Sequence, residues 1–114
     1  FIKMEVLNKF TPESWAFFVT QNDAVMLYLY NTNCGICNTL RPKVTALVEQ
    51  KFPKIKLVII NAEENQELAA QMRMLSVPGI ILYLEGKEFF RANGLIALSD
   101  FELKIRRPYE IMFE

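Results

Sequence analysis

Short apolar runs alternate with longer amphipathic stretches along this chain. Ala24 to Tyr30 (AVMLYLY) and Ile55 to Asn61 (IKLVIIN) are mostly apolar runs of strand length. Gly79 to Leu84 and Lys87 to Ala92 flank Glu85-Gly86, a pair typical of a hairpin turn. Continuous apolar strands predict parallel pairing with cover on both faces, whereas the hairpin predicts antiparallel strands.

Four other stretches carry helix signals. Thr11 is a cap for the first helix, with Pro12 at its first position. The second helix is predicted from about Gly35 to Lys51 and the third from Glu63 to Met74. Ser99 is predicted to cap the last helix. Their apolar faces hold Leu40, Val44, Leu47 and Val48 in the second helix, and Leu68, Met72 and Leu75 in the third.

With a short strand from Lys3 to Leu7, these elements predict one domain over residues 1–114, built on a mixed sheet with helices on both sides. Pro108 should interrupt the last helix, because proline lacks the amide that the helix needs. Residues 108–114 would then be an apolar C-terminal extension. We expect it to pack on the body as an extra short helix, or else to contact a second subunit.

Composition and charge exclude several classes of function. The chain has 114 residues, of which 52% are hydrophobic, enough for one domain with a buried core. Thirteen basic residues balance thirteen acidic ones, so we expect no nucleic acid and no membrane surface as a partner. Histidine is absent, which excludes an imidazole base and most zinc hydrolase sites. No run is long and apolar enough to span a bilayer.

Both cysteines lie in Cys34-Gly35-Ile36-Cys37, between the first apolar strand and the helix that follows. At a helix N-terminus, free amide groups and the helix dipole stabilise a thiolate, which is the nucleophilic form of cysteine. Cys37 comes one turn later on the same face, so the two sulfurs can approach disulfide distance. We predict that Cys34 attacks a substrate disulfide and that the more buried Cys37 resolves the mixed disulfide. Gly35 would let a large substrate approach closely.

Two other interpretations of the cysteine pair stay open. A zinc site needs four ligands, and the chain holds no further Cys or His, so a metal or cluster would need thiolates from a second chain. We therefore expect no metal. Two unreactive core cysteines are the other alternative, since free cysteine is often buried. The placement of a CxxC pair between a buried strand and a helix argues against it.

A second motif, Ser76-Val77-Pro78-Gly79, precedes the GIILYL strand. Together with CGIC, Pro42 inside the following helix, Gly86 at the turn and Gly94 after the last strand, it makes the chain resemble thioredoxins from about Thr11 to about Arg106. The resemblance implies an α/β thioredoxin fold, that is, a central mixed β-sheet flanked by helices on both faces.

The resemblance also implies roles for single residues. Cys34 corresponds to the attacking cysteine and Cys37 to the resolving cysteine. Pro78 corresponds to a cis-proline that faces the disulfide, and Val77 would offer its backbone to the substrate as to an added strand. The predicted substrate-binding residues are Gly35, Ile36, Val77, Pro78 and Gly94.

The chain also departs from the family pattern. Asn33 and Ile36 stand where thioredoxins carry the Trp and Pro of WCGPC, and Asn38 replaces a common lysine. Tyr28 replaces a buried aspartate and Ile59 the lysine that pairs with it. Because a buried carboxylate helps take the proton from the resolving cysteine, we predict slower release of the mixed disulfide, or the use of water instead. Tyr28 itself is interpreted as a packed core aromatic.

The first hypothesis is a thiol–disulfide oxidoreductase that reduces or exchanges protein disulfides, needs no cofactor, and takes electrons from a separate reductase or thiol donor. The alternative is a thioredoxin-like protein-binding module with weak redox activity. We expect a monomer in the cytoplasm. The chain begins at Phe1 rather than Met, so the alternative expectation is that the protein is exported and its signal peptide removed.

Overall fold

Four strands form one mixed sheet in the order β2-β1-β3-β4. The structure is a computed structural model that describes residues 9–74, 76–94 and 96–114. β1 pairs with β2 in parallel and with β3 antiparallel, and β3 pairs antiparallel with β4. The mixed sheet is therefore confirmed, while the strand predicted from Lys3 to Leu7 lies outside the described residues. The strands are β1 (Ala24–Tyr30), β2 (Lys56–Asn61), β3 (Gly79–Leu84) and β4 (Lys87–Asn93).

Helices cover both faces of this sheet, as predicted. Against one face, α2 and α4 enclose a core that includes Met26, Tyr28 and Phe101. Against the other, α1 and α3 enclose a second core that includes Trp15 and Leu27. β1 contributes to both cores, because successive side chains on a strand point to opposite faces. The helices are α1 (Pro12–Thr20), α2 (Gly35–Lys51), α3 (Gln66–Gln71) and α4 (Leu98–Phe113), with a short 3₁₀ helix at Ala62–Glu64.

Local signals explain the best-predicted boundaries. Thr11 caps α1 through a reciprocal pair of hydrogen bonds with Ser14, and Pro12 is the first helical residue. Glu85 and Gly86 both have positive φ, 52° and 84°, which suits the tight turn between β3 and β4. The Glu85 amide also donates to the Asp23 carbonyl at 2.8 Å. The predicted hairpin is confirmed.

The third helix is shorter than predicted. α3 begins only at Gln66, because the buried Asn65 leaves helical geometry. The Asn65 side chain accepts from the Phe10 amide and donates to the Asn61 carbonyl, so it serves the tertiary structure and not a longer helix. The helix ends before Met74, since Arg73 has φ 58°. Leu75, expected on its apolar face, lies outside the described residues.

Two predictions about the last helix are wrong. Ser99 does not cap it: α4 starts at Leu98, its N-cap is Ala97, and no side chain caps it. The buried Phe101 holds this end against the sheet instead.

Pro108 does not interrupt α4 either, since the helix continues to Phe113. The final turn is held by Tyr109, which is buried and packs on Phe52 and Phe113 with ring centroids 5.1 and 4.9 Å apart. This packing offsets the helical hydrogen bond that proline cannot make. None of the helices in the described ranges has the length and apolar content needed to cross a membrane.

Candidate active site

Cys34 and Cys37 lie at the junction between β1 and α2. Cys34 is the N-cap of α2, and the Cys37 amide donates to its sulfur at 3.1 Å. The two residues form a disulfide with Cα atoms 5.2 Å apart, within the usual range for such bonds. Cys34 is half-buried, whereas Cys37 is only 1% exposed. An incoming substrate can therefore reach the first sulfur more easily than the second.

Three predicted substrate-binding residues converge beside the pair. Pro78 is buried and follows a cis peptide bond from the half-buried Val77. A Cβ atom on Gly94 would lie 2.5 Å from Pro78 Cγ and 3.3 Å from Ile36 Cγ2, so the Gly94 backbone fills the space between these side chains. Ile36 itself is 58% exposed. The result is an exposed apolar surface next to Cys34.

This surface continues as a groove along α2. The groove has a volume of about 540 Å³. At Gly35, which lines it, an added Cβ would meet no described heavy atom within 4 Å beyond its chain neighbours and its own helix backbone. Lys43 is the charged side chain in the lining. The groove is lined by Gly35, Ile36, Thr39, Leu40, Lys43 and Gly94.

A polar network holds the loop before Cys34, and sequence reasoning missed it. The Thr32 amide donates to Glu63 Oε1, and Asn61 Nδ2 donates to Thr32 Oγ1, both at 3.2 Å. Asn61 Oδ1 in turn accepts from the Glu63 amide at 2.8 Å. A usable signal exists in the strand order, because parallel neighbours bring the residues after their carboxyl ends together. Tyr30 and Asn61 are indeed register partners at the ends of β1 and β2.

Tyr28 lies beneath the resolving cysteine. Its side chain is 1% exposed, and its hydroxyl donates to the Cys37 carbonyl at 2.8 Å. Burial raises the pKa of Tyr28 to about 12, and the nearby positive charge of Arg41 only partly opposes this shift. Tyr28 is thus a packed core residue, as interpreted, but it also makes a specific polar contact that the sequence did not reveal.

The other departures from the family pattern place uncharged side chains beside the two cysteines. Ile59 is buried beside Tyr28 as its register partner on β2. Asn33 and Asn38 flank the CGIC motif and are exposed. Among the described side chains, no cluster of three or more His, Cys, Asp or Glu is placed to hold a metal ion. The reactive groups that the site presents are the sulfur atoms of Cys34 and Cys37.

Comparison with known proteins agrees with this geometry. The sequence profile of the thioredoxin family matches residues 6–107. The chain is 30% identical over 94 residues to the thioredoxin-like protein YdfQ of Bacillus subtilis, covering 82% of this chain and 83% of that protein. It is 26% identical over 102 residues to thioredoxin of Porphyra purpurea, covering 89% and 95%.

Solved structures give the same result. A mutant thioredoxin of Halobacterium salinarum superimposes with a TM-score of 0.73 at 26% identity, covering 86% of each chain. The predicted α/β thioredoxin fold is therefore confirmed. With its Cys34–Cys37 pair at disulfide distance, the chain belongs to the thioredoxin family of thiol–disulfide oxidoreductases.

Proposed function

We propose that this chain reduces or exchanges disulfides of other proteins, with Cys34 as the attacking residue and Cys37 as the resolving residue. The observation that carries these roles is the difference in access between a half-buried Cys34 at the N-cap and a buried Cys37 one turn later. Once the pair is reduced, the Cys37 amide and the helix dipole favour a thiolate at Cys34.

The reaction runs in two exchanges. The Cys34 thiolate attacks one sulfur of the substrate disulfide, and the other substrate sulfur leaves as a thiolate that takes a proton from solvent. Cys37 then loses its proton and attacks the Cys34 sulfur. The bond between Cys34 and the substrate breaks, and the second substrate sulfur leaves and is protonated. Two electrons and two protons pass to the substrate, and the chain keeps the Cys34–Cys37 disulfide.

Substrate binding uses the surface around the disulfide. An extended substrate segment lies over Pro78 and pairs with the backbone of Val77, while Gly35, Ile36 and Gly94 leave its disulfide room to reach Cys34. The convergence of Ile36, Gly94 and Pro78 and the exposure of Ile36 support this placement. Main-chain pairing reads few side chains, so we expect a broad range of protein disulfides.

Electrons come from a separate reductase or thiol donor, as the family implies. The balance of thirteen basic and thirteen acidic residues supports protein partners over nucleic acid. The monomeric state and the cytoplasmic location stay predictions.

The test is reduction of a protein disulfide driven by dithiothreitol, comparing the unaltered chain with Cys34→Ser and Cys37→Ser. We expect the unaltered chain to exceed dithiothreitol alone and both variants to lose this gain. Cys37→Ser should accumulate a mixed disulfide at Cys34, which mass spectrometry of the intact adduct detects. Rates equal to dithiothreitol alone for all three proteins would contradict the proposal and favour the binding module with weak redox activity.

A further inference from the structure

The hydrogen bond from Tyr28 to Cys37 connects the central strand to the first turn of α2. Tyr28 lies on β1 between Ile59 of β2 and Ile80 of β3, so its backbone is fixed on both sides by the sheet. Its hydroxyl reaches the Cys37 carbonyl at 2.8 Å in a buried environment. A strand that is fixed within the sheet thus holds the backbone carbonyl of the predicted resolving residue.

The bond is additional to the helix's own hydrogen bonds. In an α-helix the carbonyl of residue 37 accepts from the amide four residues later, which belongs to Arg41. A carbonyl oxygen has a second lone pair, and the Tyr28 hydroxyl donates to it. Because a side chain follows its backbone, fixing this carbonyl also limits where the Cys37 sulfur can point.

Among the described residues, no carboxylate is a cause of the Tyr28 pKa shift. Arg41 is the charged group that acts on the hydroxyl, and its guanidinium also lies over the ring of Tyr30 at 5.5 Å. β2 and β3 present Ile59 and Ile80 as register partners. Both are buried apolar side chains.

Two titratable side chains of other described elements already have hydrogen-bond partners. From α4, the titratable side chain in the same core is Tyr109, whose hydroxyl accepts from the Lys54 amide. The Glu63 carboxylate is bound by the Thr32 amide, before Cys34. Tyr28 keeps its own proton at neutral pH, since burial holds its pKa near 12. It can donate a hydrogen bond but cannot act as a base.

We propose that Tyr28 is a positioning residue for the second exchange: its hydroxyl holds the Cys37 carbonyl so that the Cys37 sulfur faces the Cys34–substrate bond, while the Cys37 proton passes to water or hydroxide. This inference rests on the proposed roles of the two cysteines. The step balances as above, because Cys37 loses a proton to solvent and the departing substrate sulfur gains one. Tyr28 exchanges no proton.

Tyr28→Phe tests this inference, because it keeps the ring and removes only the hydroxyl. Formation of the mixed disulfide is timed in a Cys37→Ser background, and its release is timed with both cysteines present, each in a single turnover. We expect formation to stay within about twofold and release to slow about fivefold, as the loss of one neutral hydrogen bond allows. The rise of the release rate with pH should keep its shape, since Tyr28 is not the base.

Tyr83→Phe is the matched control. The Tyr83 hydroxyl also lies in a hydrogen-bonded, partly buried place, where it accepts from Trp15 Nε1 at 3.2 Å and contacts Met72 Sδ at 3.4 Å. It packs with the core on the opposite face of the sheet, so its loss should slow neither exchange.

Three results would overturn the inference: unchanged release in Tyr28→Phe, equal slowing of both exchanges, or a release profile that loses an ionisation. Each is read against an unaltered chain that outpaces dithiothreitol. If the unaltered chain fails that comparison, the proposed function itself is wrong. The two failures are therefore distinguishable.

Discussion

Gly94 is the residue where backbone space decides the shape of the site. An added Cβ would lie 2.5 and 2.7 Å from the Cγ and Cδ atoms of Pro78, closer than side chains tolerate. Gly94→Ala should therefore displace Pro78 or Gly94 itself and lower the free energy of unfolding by about 1–3 kcal/mol. Because the substrate is proposed to lie over Pro78, we expect disulfide reduction to fall about tenfold. Denaturant unfolding and the dithiothreitol-driven assay measure the two effects.

Gly35→Ala is the control for the stability effect of this substitution. It makes the same chemical change in the same site, but beyond its chain neighbours and its own helix backbone no described heavy atom lies within 4 Å of the added Cβ. Gly35 is also the first residue of α2, where alanine restricts the unfolded chain without strain. The free energy of unfolding should stay equal or rise by up to about 1 kcal/mol. Equal stability of the two variants would show that Pro78 does not constrain position 94.

At the residue scale, site positions could be predicted from the sequence where a residue has unusual chemistry or an unusual backbone conformation. A CxxC pair, a Val-Pro pair and a late glycine are visible in one dimension, and the structure brings Ile36, Pro78 and Gly94 together. Their predicted roles in substrate binding stay predictions. The Tyr28 bond to Cys37 was out of reach, because it depends on the distance between a strand and a helix. The bond between Glu63 and Thr32 was missed as well, although parallel pairing of β1 with β2 brings the residues after both strands to one edge of the sheet.

At the element scale, the last turn of α4 is stabilised by tertiary packing and not by local helix signals. Tyr109 is buried, and its hydroxyl accepts from the Lys54 amide at 3.1 Å. Tyr109→Phe should lower the free energy of unfolding by about 1 kcal/mol through the lost hydrogen bond. Tyr109→Ala should lower it by about 3–5 kcal/mol, since it also removes the ring that packs on Phe52. Urea unfolding at neutral pH measures both.

Ile111→Ala serves as the comparison for Tyr109. Ile111 follows two residues later in the same turn but is 72% exposed, so its truncation should change the free energy of unfolding by no more than about 0.5 kcal/mol. A large loss at Ile111 with none at Tyr109 would mean that the end of α4 is buried differently in solution. It would then favour the alternative expectation, a contact of residues 108–114 with a second subunit.

The elements themselves were predictable where one local signal dominated. β1, β3 and α2 begin and end at the predicted residues, because apolar runs and helical spacing agree there with the turn and cap residues. Predictions failed where a tertiary contact outweighed the local helix preference of the sequence. The Asn65 side chain accepts from the Phe10 amide instead of extending α3, and packing of Tyr109 on Phe52 carries α4 through Pro108. Both contacts join residues that lie more than 50 positions apart in the sequence.

At the scale of the whole molecule, the two cores place tyrosines on opposite faces of one sheet. Tyr28 belongs to the core under α2 and α4, and Tyr83 packs against the core under α1 and α3. Burial raises the pKa of both side chains. In the unfolded chain each hydroxyl returns to solvent and to a pKa of 10.0. The fold therefore couples alkaline titration to stability through both of its faces.

The sign of this coupling predicts alkaline unfolding. Because the folded pKa of Tyr28 lies above the unfolded value, its contribution is fully present below pH 10 and is lost as the pH rises through about 12. A shift of this size corresponds to about 3 kcal/mol of unfolding free energy. Lysines titrate in the same range, so the difference between the unaltered chain and Tyr28→Phe, measured by urea unfolding across this window, isolates the tyrosine. As the pH rises, the unaltered chain should lose more stability than Tyr28→Phe, whereas parallel curves would show that Tyr28 ionises as easily folded as unfolded.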